Sequence, residues 1–307
     1  MEALSKKILE EYQVRKTKKQ KTAFIDMLTE QLEQEGHTVT VDRSGLFGSR
    51  NIVVGDLEQC EIVLGAHYDT APVLPFPNFL APKNLFAYGI YVVLLVAVLC
   101  VIEFLVGSLI FLIADDPFAV SCFLYGVILF FMAWTIWGKA NKHTANDNTS
   151  GVITLVEALA CQELQGKIGC VFFDHEEVGL FGSSAFAKKH KKIMKDKLLM
   201  NFDCVGDGDT LMLVINKRAR GQWNDLEVAF LPEGEKQVIL TKASTTMYPS
   251  DQMNFKKNVG VAAFKRSRLL GYYMDKIHTK KDVNCDEENI ALIIEGLKRL
   301  LKDSVHM

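Results

Sequence analysis

Histidines and carboxylates lie at the ends of short apolar runs, before a predicted helix and in a late loop of this chain. They occur in the segments "IVLGAHYDT", "TANDNTSG", "VFFDHEEVG", "LMNFDCVG" and "KIHTKKD". The side chains are those of His67, Asp69, Asp147, Glu176, Glu177, Asp203 and His278. Imidazole and carboxylate ligands suit zinc, and no cysteine stands at these positions, which argues against a closed structural zinc site. A lone residue of this kind is usually a cap or structural, but this many in one arrangement predict a catalytic metal site.

Two of these acids, Glu176 and Glu177, are adjacent and precede a glycine-containing turn. One interpretation is a solvated pair at a helix N-terminus, which the helix dipole favours. The other is a buried pair at a strand end, where carboxylates are costly unless they are paired or bound to a metal. The remaining metal-capable positions favour the second interpretation.

Helical and strand patterns alternate along most of the chain. Apolar periodicity predicts helices over 20–35, 150–164, 182–193 and 286–301, and strands over 52–54, 62–66, 168–174, 198–204 and 259–264. This alternation predicts an α/β fold, a three-layer sandwich with a mixed, mostly parallel central sheet. In such sheets ligands bind beyond the carboxyl ends of the strands, where most of the metal-capable residues stand.

Two long apolar runs, 85–113 and 118–138, interrupt this pattern. The first contains one charged residue, Glu103, and the second contains none. Each is long enough to cross a bilayer, which takes about 20 apolar residues in a helix. Neither has the polar face that a helix in a soluble core normally shows. We therefore predict a transmembrane helical hairpin over 84–138, in preference to a hairpin buried inside a soluble protein.

Charges at the two ends of the hairpin predict its orientation. Lys83 precedes it and Lys139 and Lys142 follow it, whereas its tip carries Asp115 and Asp116. The positive-inside rule places both ends of such a hairpin in the cytoplasm. We expect a two-pass protein of the cell membrane, with its N-terminus, C-terminus and catalytic domain in the cytoplasm.

The composition excludes other classes of protein. A net charge of −2 over 307 residues provides no global basic field, so no nucleic-acid partner is expected. The seven cysteines form no CxxC pair and argue against a disulfide framework. The charged N-terminal stretch lacks the apolar region of a signal peptide. Basic stretches at 15–19 and 188–192 are interpreted as solvated surfaces, with membrane-surface binding as the alternative. Residues 1–78 and 140–307 are expected to fold together as one discontinuous domain.

The motifs "HYD", "DNTSG", "EEVGLFGS", "NFD", "SDQMNF" and "HTKKD" follow one another in this order. Together they resemble those of the co-catalytic di-zinc aminopeptidases of the bacterial leucyl aminopeptidase type. That family includes glutamate carboxypeptidase II, the glutaminyl cyclases and the catalytically inactive transferrin receptor. The resemblance covers about residues 50–75 and 143–285. The chain departs from the family in its hydrophobic hairpin, which stands where relatives have a short loop, and which we interpret as a membrane anchor.

The resemblance implies a zinc ligand set. Two zinc ions per chain are expected, with Asp147 bridging them. Glu177 and His278 would complete the shell of one ion, and His67 and Asp203 the shell of the other. The family also places a cis peptide directly after the bridging aspartate, which predicts one between residues 147 and 148.

The resemblance further implies that Glu176 is the general base and that Asp69 accepts a hydrogen bond from the far nitrogen of His67, as metal-bound histidines require. Four residues in loops around His278 are candidates for lining the substrate pocket or steadying the oxyanion. They are Tyr248, Arg266, Arg268 and Tyr273.

The function expected from these features is that of a membrane-anchored zinc aminopeptidase, which removes N-terminal residues from peptides by means of a metal-bridging water. One alternative is a glutaminyl cyclase-like acyltransferase with a single zinc, against which the "DNTSG" motif argues. Another is a non-catalytic receptor or scaffold of the same fold. The presence of every expected ligand and of Glu176 argues against that alternative.

Overall fold

The computed structural model describes residues 1–302 with the exception of Leu46, Asp115 and Glu233. Its helices are α1 (Ala3–Glu11), α2 (Lys18–Gln34), α3 (Leu85–Ala114), α4 (Pro117–Trp137), α5 (Gly151–Ala160), α6 (Phe181–Lys189), α7 (Trp223–Ala229) and α8 (Glu287–Lys302). Its strands are β1 (Val39–Ser44), β2 (Ser49–Val54), β3 (Ile62–His67), β4 (Ile168–Phe173), β5 (Leu198–Phe202), β6 (Thr210–Ile215), β7 (Gln237–Lys242), β8 (Asn258–Ser267) and β9 (Gly271–Tyr273).

The strands form one sheet in the order β1-β2-β4-β3-β5-β8-β6-β7, with β9 paired to the end of β8. The central strands β4, β3, β5 and β8 are parallel, while β2 and β6 run antiparallel to their central neighbours. Every residue of β3, β4 and β5 is buried, as expected of parallel strands that are covered on both faces. The predicted α/β fold with a mixed, mostly parallel central sheet is confirmed.

Helices cover both faces of the sheet because successive strand side chains point in opposite directions. Along β3, Leu64 joins the cluster that contains Phe24 of α2 and Ile293 of α8. Val63 joins the opposite cluster, which contains Phe186 of α6. The two clusters form the core on either side of the sheet.

Several predicted boundaries differ from the structure. The helix predicted over 150–164 ends at Ala160, and a separate short turn covers Gln162–Leu164. The helix predicted over 182–193 ends at Lys189. Helix α2 starts earlier than predicted because Thr17 and Gln20 form a reciprocal capping box. The last helix, α8, is capped by Asp286, whose carboxylate accepts a hydrogen bond from the backbone N–H of Glu288.

The two apolar runs form α3 and α4, which pack against each other. Both are long and apolar enough to cross a membrane, and 6% and 0% of their most apolar windows are buried. The alternative of a hairpin buried inside the protein core is therefore wrong. Glu103 lines a cavity of about 660 Å³ between the two helices, together with Gly107 and Val120. Asp116 caps α4 by accepting from the backbone N–H of Phe118, whereas Asp115 lies outside the described residues.

The two segments that connect the hairpin to the rest of the chain pair with each other. Pro72 and Ala140 form an isolated antiparallel bridge, and the backbone N–H of Val73 donates to the carbonyl of Lys139 at 2.8 Å. The indole N–H of Trp134 also donates to the carbonyl of Val73. The two ends of the insertion thus lie side by side.

Candidate metal centre

The predicted metal ligands converge on one edge of the sheet. His67 is the last residue of β3, and Asp203 directly follows β5. Glu177 lies in the loop after β4, and because β3, β4 and β5 are parallel neighbours, these three side chains meet at their carboxyl ends. Asp147 reaches the same place from an irregular turn before α5, and His278 from the loop between β9 and α8.

These side chains form two groups that share one aspartate. In the inner group, the Nε2 atom of His67 lies 3.4 Å from Oδ1 of Asp147 and 3.5 Å from Oδ1 of Asp203. In the outer group, the Nε2 atom of His278 lies 2.9 Å from Oδ2 of Asp147 and 3.3 Å from Oε2 of Glu177. The two oxygens of Asp147 therefore face different histidines, which is the arrangement that a bridging carboxylate needs.

The residues of both groups fit metal ions. Within each group the candidate ligand atoms lie within 4.8 Å of one another. The buried Oε1 atom of Glu177 has no hydrogen-bond partner among the described residues, and a buried carboxylate oxygen left unpaired is costly. Imidazole nitrogen and carboxylate oxygen are the donors that catalytic zinc sites use.

The adjacent glutamates do not form a solvated pair at a helix N-terminus. Helix α6 begins at Phe181, beyond both acids, and the Glu177 side chain is only 6% exposed. Glu176 approaches the inner group, since it offers an oxygen within 4.8 Å of the ligand atoms of His67 and Glu177. The strand-end interpretation is the one that agrees with the structure.

Two glycines of the "EEVGLFGS" motif keep this loop tight. Gly179 has a φ of +119°, in a region that favours glycine. A Cβ atom at Gly182 would lie 1.8 Å from the carbonyl oxygen of Asp174. Only glycine allows the start of α6 to approach the strand end that carries the two glutamates.

Two further aspartates hold the ligand loops. The Asp282 carboxylate accepts hydrogen bonds from the backbone N–H groups of Asn146 at 2.8 Å and Asp147 at 3.0 Å. The Asp69 carboxylate accepts from the backbone N–H groups of Glu176 at 3.0 Å and Glu177 at 3.3 Å. The peptide between Asp147 and Asn148 is cis, as predicted.

The contact between Asp69 and His67 differs in detail from the expectation. The Nδ1 atom of His67 lies 3.3 Å from the backbone carbonyl of Asp69 and 3.6 Å from its carboxylate. The carbonyl is thus the nearer acceptor. The carboxylate is turned instead towards the loop that carries the two glutamates.

Burial and crowding shift the pKa values of the acidic groups. Burial, reinforced by the neighbouring carboxylates of Glu177 and Asp203, raises the pKa of Glu176 well above its usual range, against the lowering effect of His67. Burial also raises the pKa of Glu177 to about 8, although His278 opposes the shift. Burial and the charge of Asp147 raise the pKa of Asp282 to about 8.

Acidic neighbours raise the pKa values of both histidines. Burial lowers the pKa of His278, but the Glu177 and Asp147 carboxylates outweigh it and raise the value to about 10. Burial likewise opposes protonation of His67, yet Glu176 and the aspartates of the inner group hold its pKa well above the ordinary value. The centre is therefore strongly attractive to cations.

The candidate substrate residues lie in three different surroundings. Tyr248 is buried, and its hydroxyl donates to the backbone carbonyl of Asp203 at 2.7 Å; it supports a ligand-bearing loop instead of lining an open pocket. Tyr273 is half-buried and stacks on Phe79 with 6.1 Å between ring centroids. The remaining two candidates, Arg266 and Arg268, are exposed near the turn between β8 and β9.

Sequence reasoning missed the contribution of the N-terminal segment. Arg15, interpreted as part of a solvated basic stretch, is completely buried. Its guanidinium donates to the backbone carbonyl of Tyr68 and to the hydroxyl of Thr149, and its backbone N–H donates to Thr70. Arg15 therefore joins the loop that follows His67 to the turn that carries Asp147. A basic residue within a charged stretch carries no sequence signal for such burial.

A second buried cation supports the glutamate loop. Lys21 of α2 forms an ion pair with Asp174, the residue that follows β4, and both side chains are almost fully buried. The basic stretch over residues 188–192 does not support the glutamate loop in this way. Its Lys189 and His190 bind Asp42 of β1.

Comparison with known proteins identifies the family. The profile of peptidase family M28 matches residues 132–293, more than half of the chain. The chain belongs to peptidase family M28. The predicted family is thereby confirmed, and membership supports a zinc-dependent hydrolase. A search of curated proteins gives no match.

Solved structures show the same fold at low identity. The chain is similar to the LapA aminopeptidase of Legionella pneumophila, with a TM-score of 0.55 and 15% identity over 97% of this chain and 67% of that one. It is similar to a Zn-dependent exopeptidase of Parabacteroides distasonis, with a TM-score of 0.58 and 15% identity over 98% of this chain and 96% of that one. It is also similar to the glutaminyl cyclase of Porphyromonas gingivalis, with a TM-score of 0.58 and 17% identity over 97% and 95% of the two chains.

Proposed function

We propose that this M28 protein is a membrane-anchored zinc aminopeptidase with two ions per chain. The observation that carries the proposal is the division of the Asp147 carboxylate between the two groups, with Oδ1 towards His67 and Oδ2 towards His278. A single-zinc enzyme would need only one of these groups. Residues 1–78 and 140–307 would form the peptidase domain, and residues 84–138 the hairpin in the bilayer.

The proposed ligand roles are those that the resemblance implies, and the geometry of the two groups supports them. His67 and Asp203 would hold one ion, Glu177 and His278 the other, and Asp147 both. Zinc bound there would supply a water of lowered pKa and polarise the scissile carbonyl of the peptide.

Glu176 is the proposed general base. Its backbone is fixed by Asp69 at 3.0 Å, so its position does not depend on the substrate. Its carboxylate accepts the proton of the attacking water and delivers it to the leaving amine.

The similarity of fold to the LapA aminopeptidase favours an aminopeptidase over a carboxypeptidase. The carboxylates of Asp147, Glu177 and Asp203 do not bear on this choice, because zinc bound there would offset their charge. The proposed partner is accordingly a peptide with a free N-terminus, and no nucleic acid is involved.

The hairpin supports membrane anchoring because α3 and α4 expose apolar side chains along their length instead of burying them. Flanking lysines favour an orientation with the peptidase domain and both termini in the cytoplasm. A phosphatase reporter that is active only outside the cytoplasm, inserted next to Asp116, should be active, whereas the same reporter at the C-terminus should be silent. The reverse pattern would contradict the orientation.

Assays of detergent-purified protein test the activity. Wild type with zinc should release fluorophores from aminoacyl amides, and both a chelator and Glu176→Gln should abolish the release while Glu176→Gln keeps its zinc. Glu227→Gln, at an exposed position of α7, is the matched control and should remain active. Amides with acetylated N-termini should not be cleaved.

The glutaminyl cyclase alternative is tested in the same preparation. The observation that favours this alternative is the similarity of fold to the glutaminyl cyclase of Porphyromonas gingivalis. One zinc per chain, with cyclisation of N-terminal glutamine and no release from aminoacyl amides, would replace the aminopeptidase proposal. Bound zinc with neither activity would favour a scaffold.

A further inference from the structure

The β8–β9 ribbon projects beyond the sheet edge that carries the metal centre. Strand β8 pairs with β5 as far as Val261 and with β6 as far as Phe264. Its last residues, Lys265–Ser267, pair only with β9. The turn at the end of the ribbon, residues 267–271, is therefore a protruding tip.

Hydrogen bonds fix this tip beside the first turn of α3. The Asn84 side chain donates to the carbonyl of Leu270 at 3.2 Å, while its oxygen accepts from the backbone N–H of Ala87 at 3.0 Å and so caps α3. At the base of the ribbon, Leu80 and Met274 exchange two backbone hydrogen bonds of 2.9 Å. The ribbon tip and the start of α3 therefore lie at the same level.

The tip combines an exposed leucine with exposed basic residues. Leu269 is 86% exposed, and the Ser267 hydroxyl accepts from the backbone N–H groups of Leu269 and Leu270, which holds the turn in this form. Arg266 and Arg268 flank it, and Lys83 stands exposed just before α3. Among the described residues, no carboxylate lies within 4.0 Å of either guanidinium. Nη1 of Arg266 donates to Oε1 of Gln237 at 3.5 Å, the outer limit of a hydrogen bond. Arginine favours phosphate groups because its planar fork donates two hydrogen bonds to them.

We propose that this tip is a second membrane contact, in which Leu269 enters the bilayer interface and Arg266 and Arg268 bind the phosphates of anionic phospholipids. The inference rests on the proposed membrane insertion of the hairpin, because α3 sets the level of the bilayer relative to the tip. Exposed leucine beside basic residues is the composition by which peripheral segments bind anionic membranes.

The contact has a consequence for the metal centre. The ribbon continues from Tyr273 directly into the loop that carries His278. Binding of the tip to lipid would hold the outer side of the centre at the membrane surface. Substrates would then be peptides whose free N-termini lie close to the bilayer.

Photocrosslinking of the full chain in lipid nanodiscs tests the proposal. A benzophenone amino acid replaces Leu269 in one protein, Leu94 of α3 in a second and Val228 of α7 in a third. Val228 is 67% exposed and lines a cavity with Ile62 and Leu198, the first residues of β3 and β5, so it reports on the opposite edge of the sheet. Lipid adducts are counted by mass spectrometry.

The expected result is lipid adducts at positions 94 and 269 and none at 228. In discs with about 30% phosphatidylglycerol, adducts at position 269 should exceed those in pure phosphatidylcholine by at least about threefold, and the double variant Arg266→Gln, Arg268→Gln should remove this difference. Adducts at 94 without adducts at 269 would overturn the tip contact and leave the anchor intact. Absence of adducts at 94 would overturn both. None of these outcomes depends on peptidase activity.

Discussion

The inner and outer groups of the metal centre share Asp147 but differ in how they are held. In the inner group, the His67 side chain is 1% exposed and sits on a central strand, with Asp203 at the end of the adjacent one. In the outer group, the His278 side chain is 29% exposed and belongs to a loop, at a positive φ of 58°. The sheet thus fixes one half of the centre, and loops fix the other.

The loops that hold the outer group are also those that lead to the hairpin. The backbone N–H of Leu74 donates to the carbonyl of His278 at 2.9 Å, and the Asn78 side chain donates to the carbonyl of Ile277. Buried strands open only with global unfolding, whereas loops of this kind move at low cost. The inner group is therefore set by the fold, and the outer group can respond to movements of the hairpin and to substrate.

The largest effect is expected for the residue common to both groups. Asp147→Asn removes the carboxylate proposed to bridge the metal ions, so zinc content should fall from the proposed two ions per chain to nearly none. The kcat/KM for aminoacyl amides should then fall by about a thousandfold or more, which corresponds to about 4 kcal/mol. Metal analysis and steady-state kinetics measure the two changes. Asp196→Asn, at an exposed site, is the matched control; retention of one tightly bound ion by the Asp147 variant would show that the groups are independent.

Replacement of each histidine by alanine compares how much the inner and the outer group contribute to stability. His67→Ala leaves the buried Asp147 and Asp203 carboxylates without their imidazole, which should cost about 3 kcal/mol of unfolding free energy besides one zinc ion. His278→Ala should also lose one ion, but because the imidazole of His278 is 29% exposed, its loss should cost less unfolding free energy than the loss of His67. Denaturant unfolding of chelator-treated protein in detergent measures the difference. Equal losses of stability would remove the distinction between a sheet-held and a loop-held group.

Zinc binding by the outer group should strengthen as pH rises. His278, with a pKa raised to about 10 against the opposing effect of burial, carries a proton at neutral pH that zinc must displace. Between pH 6 and pH 8, the zinc Kd should therefore fall by about tenfold per pH unit for each proton released. Chelator competition at several pH values, with proton release followed by calorimetry in two buffers, tests this. A Kd that does not change with pH would contradict it.

The smallest effect is expected for Arg15, which contacts the loop after His67 and the turn that carries Asp147. Arg15→Lys keeps the charge but loses the fork that spans the carbonyl of Tyr68 and the hydroxyl of Thr149. Two-zinc occupancy should persist, while kcat/KM falls by about fivefold, equivalent to about 1 kcal/mol. Arg43→Lys, on the exposed side of β1, is the control. Unchanged kinetics would restrict Arg15 to a role in folding.

The candidate ligand positions could be predicted because most of them stand at element ends, where chemistry and topology leave a pattern. His278 lies in a loop and was predicted from the motif "HTKKD", which resembles that of the family. The sequence also located the hairpin, whose composition is extreme. Four strands were not predicted: β1, β6, β7 and β9. Residues Leu211–Ile215 of β6 are continuously apolar. The other three strands are mostly half-buried or exposed and give weak patterns. An apolar run as short as that of β6 fits a helix or a strand until its neighbours are known.

Burial of charge could not be predicted from local patterns. Arg15 and Lys21 stand in a segment whose composition is that of a solvated surface, yet both are buried beside the metal centre. Their partners, Thr149 and Asp174, lie far away in the chain. Only the three-dimensional fold brings such pairs together. For the same reason, the hydrogen bond from Tyr248 to the backbone carbonyl of Asp203 could not be predicted from the sequence.

The order of strands has a consequence for biosynthesis. Strand β3 carries His67 and lies between β4 and β5, and both of these neighbours follow the hairpin in the chain. During translation, the hairpin therefore leaves the ribosome before β4 and β5, the two strands that pair with β3 in the central sheet. Non-local strand pairing of this kind is slow and comes late. A ribosome that delivers the hairpin to a bilayer would thus release an enzyme whose catalytic centre is assembled only after the chain has been anchored.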